Sequence, residues 1–273
     1  MRLRQDEAAE RGNDPMPIKT INGEKFNILV EGKADAPVLL FSNSLSSNLA
    51  MWDAQAEALK TDFRIIRYDS RGHGKSVAEK GPYAIAQLGR DALAILDTLK
   101  VPKAHFCGLS KGGMVGQWLL THHRGRINKA VLANTAALMA PAELWNGRIR
   151  NVSQNGMAAI VDATIDRWFT KSFQEKAPVE IKRIKTMIAA TPAQGYCGCC
   201  AAIRDMDQRD SIRSISNPVL LISGAHDPAT TPAMMTLMQE RIPGAAFLSL
   251  DASHLSNIEQ PEAFTRAVRE FLS

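Results

Sequence analysis

The sequence has few aromatic residues, only four cysteines and no long apolar segment, and each scarcity excludes a class of protein. Its longest apolar stretches, such as residues 37–41 and 218–222, fall far short of the roughly 20 residues that a membrane-spanning helix needs. Hydrophobic residues nevertheless make up 45% of the 273 residues and charged residues 22%, a balance typical of a folded globular chain. We therefore expect a folded protein without a membrane segment.

Basic residues outnumber acidic ones, but they are scattered. The chain has 33 Lys and Arg against 28 Asp and Glu, and no run of five or more basic residues occurs. Because aromatic residues are only 6% of the chain, there is no evident platform on which nucleobases would stack. We expect no nucleic-acid partner, whereas a small anionic ligand is compatible with the charge.

The first residues lack the apolar segment of an export signal. Residues 1–14 are polar and mixed in charge, so we predict a disordered extension over residues 1–16 and a cytoplasmic protein. Cys197, Cys199 and Cys200 lie too close together for ordinary mutual disulfides, and no further ligands stand at metal-binding spacing. A reduced protein without a bound metal is the simplest expectation.

Short β-rich runs alternate with longer helical patterns along most of the chain. This alternation predicts the α/β class, with a mostly parallel sheet covered by helices on both faces. Several of the β-rich runs are apolar throughout, as strands buried on both faces are. The predicted strands are residues 25–30, 37–41, 63–68, 105–109, 129–133, 218–223 and 246–250, and the predicted helices are 51–59, 85–99, 112–122, 232–241 and 261–272.

One long segment interrupts the alternation. Between Ala136 and about Arg213 only helical patterns occur, separated by glycines and prolines. We predict a single core built from residues 17–135 and 214–273, with residues 136–213 inserted as a helical cap over the carboxyl ends of the strands, where such sheets bind ligands. A lid over a site and a purely structural helical layer both fit this segment.

The sharpest motif is Gly-Leu-Ser-Lys-Gly-Gly at residues 108–113. It joins a predicted strand to a predicted helix, which is the setting of a nucleophile elbow, a tight turn that exposes a serine. Gly108 and Gly112 have no side chains, and larger residues at these positions would clash in so strained a turn. The motif predicts Ser110 as the nucleophile of an acyl-transfer enzyme.

A serine nucleophile needs a base, and the base needs an acid that orients it. In the α/β-hydrolase order, the acid and then the histidine follow the serine. The loops after the last two predicted strands present Asp227 and His254, so we predict the triad Ser110, Asp227 and His254. Asp251 is the alternative acid, and we expect a structural role for His226.

The oxyanion that forms during acyl transfer needs hydrogen-bond donors. We assign this role to the backbone amides of Lys111, which follows the nucleophile, and of Leu45, in the loop after predicted strand 37–41. The glycine-rich turn at residues 69–74 lacks the spacing of a phosphate-binding loop. We expect that turn to be structural.

These motifs point to a family. From about Pro17 to its end, the chain resembles the 3-oxoadipate enol-lactonases of bacterial aromatic degradation, which are α/β-hydrolases. The most discriminating matches are Phe-Ser-Asn-Ser-Leu at residues 41–45, where most of the superfamily has His-Gly, and Cys-Cys-Ala-Ala-Ile-Arg-Asp at residues 199–205. Lys111 departs from the leucine expected beside the nucleophile, so its side chain is a candidate for altering the charge of the pocket.

The resemblance implies hydrolysis of 3-oxoadipate enol-lactone to 3-oxoadipate, without a metal or organic cofactor. The anionic substrate needs a counter-charge, and Trp145 and Arg148 would share a helix face in the cap. We hypothesise that Arg148 pairs with the substrate carboxylate while Trp145 packs on the lactone ring, although a packing pair between cap and core fits equally well.

A carboxylesterase, a carbon–carbon bond hydrolase and a cofactor-free perhydrolase would use the same triad. A ligand receptor with a hydrolase-like pocket is the alternative from another class.

Overall fold

The computed structural model describes residues 18–273, so the predicted extension over residues 1–16 lies outside the described residues. Strands in the described part pair into a two-stranded hairpin and a seven-stranded sheet. They are β1 (Lys19–Ile21), β2 (Glu24–Phe26), β3 (Ile28–Gly32), β4 (Val38–Ser42), β5 (Arg64–Tyr68), β6 (Ala104–Leu109), β7 (Ile127–Ala133), β8 (Val219–Gly224) and β9 (Ala246–Leu250).

Helices fill the connections between the strands. They are α1 (Asp53–Leu59), α2 (Ile85–Thr98), α3 (Lys111–His122), α4 (Ala142–Asn155), α5 (Val161–Trp168), α6 (Lys171–Lys176), α7 (Pro178–Ala189), α8 (Ala193–Asp205), α9 (Pro232–Arg241), α10 (Ser256–Glu259) and α11 (Pro261–Leu272). The last of these shows how the sequence determines the packing. Phe264, Val268 and Leu272 recur every fourth residue in α11 and are buried against the core.

The large sheet has the order β3-β5-β4-β6-β7-β8-β9. Its pairs are parallel except for β3, which runs antiparallel to β5 at one edge. The central strand β6 is buried at every position, as expected of a strand that helices cover on both faces. The predicted fold class is confirmed, and every parallel strand of the large sheet begins and ends within two residues of its predicted bounds.

The predicted strand over residues 25–30 is wrong in one respect, because the structure divides it into β2 and β3. Asn27 separates them. Its backbone amide donates to Ser76 Oγ at 2.9 Å, and its side-chain amide donates to Asp69 Oδ2 at 2.7 Å. These long-range hydrogen bonds replace the ladder bonds that a continuous strand would need.

Helices α4–α8 all lie in the connection between β7 and β8. An antiparallel bridge between Leu138 and Asp207 joins the two ends of this connection. We call the helical segment at residues 142–205 the cap. None of the helices in residues 18–273 is both long and apolar enough to cross a bilayer.

Candidate active site

Ser110 lies on the sharp turn between β6 and α3. Its backbone has φ 58° and ψ −116°, a left-handed conformation that costs energy for any residue with a Cβ. The turn is held by hydrogen bonds from the Ser110 amide to the Ala133 carbonyl (2.9 Å) and from Thr135 Oγ1 to the Ser110 carbonyl (2.8 Å). These bonds aim the serine at the carboxyl edge of the sheet.

Gly108 and Gly112 are required because backbone carbonyl groups lie too close to their α-carbons to leave room for a side chain. A Cβ on Gly108 would collide with the carbonyl of Gly112, and a Cβ on Gly112 would collide with the carbonyl of Ser42. The start of α3 therefore packs directly against the end of β4. This contact brings Ser110 next to the loop that carries Leu45.

The structure places Asp227 and His254 in direct contact. Asp227 follows β8 and His254 follows β9, so neighbouring strand ends present both side chains. Asp227 Oδ2 lies 2.8 Å from His254 Nδ1, and both residues are buried. With Nδ1 donating to the carboxylate, His254 Nε2 is left as the acceptor that a serine hydroxyl would use. Ser110 and His254 line the same cavity.

Further donors surround the Asp227 carboxylate. The amides of Ala229 and Thr230 donate to Oδ1, while Thr230 Oγ1 and Asn134 Nδ2 donate to Oδ2. Burial alone would raise the pKa of Asp227, but the nearby His254 charge and these hydrogen bonds outweigh it and lower the pKa. Asp227 is therefore held as a carboxylate that can stabilise a protonated histidine.

Sequence reasoning did not identify Asn134 and Thr230 as supports of the acid. Asn134 lies just after β7 with φ 42°. It also donates to the Ser253 carbonyl and accepts from Ser256 Oγ. An asparagine that tolerates positive φ at a strand end is a weak signal for such a role, and its partners are more than ninety residues away in sequence.

The alternative acid, Asp251, points elsewhere. Its Oδ1 lies 2.7 Å from His226 Nε2, and both side chains are largely exposed to solvent. His226 and Asp251 therefore form a surface pair outside the cavity that contains Ser110. This geometry favours Asp227 over Asp251 as the partner of His254.

The two assigned oxyanion donors lie at the predicted places. Leu45 lines the cavity beside Ser110, and Lys111 is the first residue of α3. Within residues 18–273, neither the Leu45 amide nor the Lys111 amide donates a hydrogen bond to another protein group. A pair of free amides beside a serine is what an oxyanion hole needs before substrate binds.

The Lys111 side chain corrects one expectation. It was a candidate for altering the charge of the pocket, but it is only 1% exposed and is absent from the cavity lining. Its ammonium group donates to Ser70 Oγ in the glycine-rich turn at residues 69–74, and burial lowers its pKa. The lysine side chain is therefore buried in the core and does not face the cavity.

Core and cap together enclose a cavity of about 610 Å³, within the range typical of small-molecule sites. Trp145 and Arg148 lie on α4 and line it, with the Arg148 guanidinium 4.5 Å from the centre of the Trp145 ring. Trp145 is buried, and its Nε1 donates to the Met139 carbonyl. The two side chains therefore lie on one face of α4, with the arginine over the tryptophan ring.

A second arginine, Arg167 on α5, lines the same cavity. It donates to Thr164 Oγ1 at 3.0 Å. Other cap arginines pair with carboxylates, as Arg150 does with Glu143. Arg148 and Arg167 differ, because no carboxylate among residues 18–273 lies within ion-pairing distance of either. Burial and repulsion from Arg148 lower the pKa of Arg167. Sequence reasoning missed Arg167 because only tertiary structure shows which arginines lack a partner.

The sheet order, the elbow and the Asp–His pair define the class of this protein. The profile of the α/β hydrolase fold matches residues 37–261, so the chain belongs to the α/β-hydrolase family and is a hydrolase. Two relatives come from Acinetobacter baylyi. One, 3-oxoadipate enol-lactonase 2, is 44% identical over 89% of this chain and 91% of its own length. The other, 3-oxoadipate enol-lactonase 1, is 40% identical over 93% and 96%.

A solved structure gives the same result. The enol-lactonase from Burkholderia xenovorans LB400 superimposes with a TM-score of 0.92 at 43% sequence identity, covering 94% of this chain and 99% of its own. The similarity to enol-lactonases expected from the sequence motifs is confirmed.

Proposed function

We propose that this enzyme hydrolyses 3-oxoadipate enol-lactone to 3-oxoadipate by serine catalysis, in the cytoplasmic degradation of aromatic compounds by bacteria. The main observation behind the proposal is that one cavity contains both a catalytic-type group and a cation that is unpaired among the described residues. One is the Asp227–His254 pair beside Ser110. The other is Arg148, a cation without a carboxylate partner among residues 18–273. The similarity to two 3-oxoadipate enol-lactonases and to a solved enol-lactonase supports an enol-lactone substrate.

In the first half of the proposed reaction, Ser110 Oγ attacks the lactone carbonyl while His254 Nε2 takes the serine proton. The amides of Leu45 and Lys111 stabilise the oxyanion, and Asp227 stabilises the histidinium. Collapse of the tetrahedral intermediate breaks the bond to the ring oxygen. The leaving group is an enolate, which takes the proton from the protonated His254 and becomes the ketone of the open chain. The acyl group remains on Ser110.

In the second half, His254 removes a proton from a water molecule, which attacks the acyl carbonyl. The same two amides stabilise the second oxyanion. The bond to Ser110 Oγ then breaks, His254 returns the proton to the serine, and 3-oxoadipate leaves with a new carboxylate. The second proton of the water stays on the new carboxyl group and is lost to solvent when that group ionises, so the net reaction consumes one water and releases one proton.

Arg148 supplies the counter-charge for the carboxymethyl group in this proposal. The guanidinium is oriented by the Trp145 ring beneath it, and it faces the same cavity as the nucleophile. A guanidinium matches a carboxylate with two parallel hydrogen bonds. The cap would thus select an anionic lactone, while the core performs chemistry common to many esters.

An absorbance assay with the enol-lactone beside a p-nitrophenyl ester tests the proposal. The wild type should open the lactone far faster than it cleaves the aryl ester, and the Ser110→Ala variant serves as the blank for both. Rapid aryl ester cleavage without lactone turnover would instead identify a general esterase. Tight lactone binding with hydrolysis of neither compound would identify a ligand receptor.

A further inference from the structure

The glycine-rich turn at residues 69–74 contacts both segments that carry the oxyanion donors. His73 is completely buried, and its Nε2 accepts a 2.9 Å hydrogen bond from the Ser46 amide. On the other side of the turn, Ser70 Oγ accepts the hydrogen bond from the Lys111 ammonium. The turn therefore reaches the Leu45 loop and the residue after the nucleophile, although none of its residues lines the cavity.

The contacts of His73 define its tautomer. Because Nε2 accepts from an amide, the ring proton lies on Nδ1, which is 3.2 Å from the Arg71 carbonyl oxygen. Cys199 Sγ from α8 packs 3.9 Å from the same nitrogen. Burial, reinforced by the positive charge of Lys111, keeps the pKa of His73 well below its ordinary value. The ring is therefore neutral and keeps the lone pair that the Ser46 amide needs.

The peptide bound by His73 is the one directly after the Leu45 α-carbon. Ser46 has a φ of 63°, a left-handed conformation that a residue with a Cβ keeps only where its surroundings hold it. The Leu45 amide and the Leu45–Ser46 peptide are separated only by the two backbone torsions of Leu45. Fixing the second group therefore restricts the direction of the first.

We propose that His73 is the positioning residue of the oxyanion hole: its imidazole holds the Leu45–Ser46 peptide so that the Leu45 amide points into the cavity beside the Lys111 amide. His73 touches no substrate atom and acts through Leu45. The inference rests on the Ser110 acyl-transfer step of the proposed function, but not on the lactone as substrate.

Two variants of His73 test this role with both the enol-lactone and the aryl ester. His73→Phe removes the acceptor, whereas His73→Gln places an amide oxygen near the position of Nε2. Loss of one oxyanion donor lowers kcat about 100- to 1000-fold, so a displaced donor in H73F should lower kcat about 10- to 100-fold. KM should change little, because the oxyanion exists only after attack. H73Q should recover much of the loss.

His105→Phe is the matched control, since His105 is also buried but lies near the start of β6, at the opposite end of that strand from Ser110. Its kcat should stay within about twofold of the wild type. A boronic acid that forms a tetrahedral adduct with Ser110 should bind H73F more weakly, by about the factor lost in kcat. If H73F does not fold, His73→Leu takes its place.

Unchanged kcat in a folded His73 variant without an acceptor would overturn the positioning role. An equal loss in H73F, H73Q and H105F with unchanged boronic acid affinity would overturn it as well. If the wild type cleaved only the aryl ester, the proposed lactone substrate would be wrong, and the ester kinetics would still decide the role of His73.

Discussion

At the level of single residues, the two acids near the histidines differ in their surroundings. Asp227 is buried and accepts hydrogen bonds from a histidine, an asparagine, a threonine hydroxyl and two amides. Asp251 is exposed and contacts only His226 among titratable groups that the structure describes. An acid orients a catalytic histidine only if it is itself held in place, and Asp227 meets that condition.

Replacing each acid by its amide distinguishes them. Asp227→Asn should lower kcat for the lactone about 10⁴-fold, because an amide favours the wrong tautomer of His254. Asp251→Asn should leave kcat close to the wild-type value. Steady-state kinetics at neutral pH measure both, and a greater loss in D251N than in D227N would refute the assignment.

Arg148 makes a second prediction at this scale. Arg148→Ala should lower kcat/KM for the anionic lactone about 10- to 100-fold, the value of a hydrogen-bonded charge pair, and should affect a neutral aryl ester much less. Arg213→Ala, which removes an exposed arginine outside the cavity, controls for net charge. An unchanged kcat/KM in a folded R148A variant would show that Arg148 and Trp145 are only a packing pair.

At the level of elements, the elbow depends on contact between the first turn of α3 and the end of β4. Gly112→Ala would force the new methyl group into the Ser42 carbonyl, so we expect the free energy of unfolding to fall by about 1–3 kcal/mol, together with loss of activity. Gly125→Ala is the control, since a methyl group there meets nothing within 4 Å. Denaturant titration of both variants checks the prediction, and equal stability of the two would contradict it.

The elements also show what the sequence could predict. The apolar residues 106–109 of β6 are visible in the sequence because a strand buried on both faces favours apolar side chains. The break between β2 and β3 was not predictable, because Asn27 bonds to Asp69 and Ser76, more than forty residues away. The contact between Asp227 and His254 could be predicted from the strand-end loops, whereas the surroundings of His73, Asn134 and Arg167 depend on neighbours that only the folded chain brings together.

At the level of the whole molecule, two buried histidines make stability depend on pH. Burial lowers the pKa of both His73 and His105, so the unfolded chain binds protons at a higher pH than the folded chain does. Their contribution to stability is complete above the unfolded value of about 6.5 and declines as the pH falls below it.

We therefore expect the free energy of unfolding to fall between pH 7 and pH 5, by up to about 1.4 kcal/mol per pH unit for each of these histidines. The His73→Gln variant should show a shallower decline, because it lacks one of the two groups. Urea titrations at pH 7, 6 and 5 measure the slopes. Identical slopes for the variant and the wild type would show that His73 is not held neutral by the fold.

The turnover of 3-oxoadipate enol-lactone by Ser110→Ala tests the central claim most directly. With Ser214→Ala, an exposed serine outside the cavity, as the matched control, S110A should keep its fold and lose kcat by about 10⁴-fold or more. The control should retain wild-type turnover. Lactone hydrolysis by folded S110A within about tenfold of the wild-type rate would contradict serine catalysis at this site.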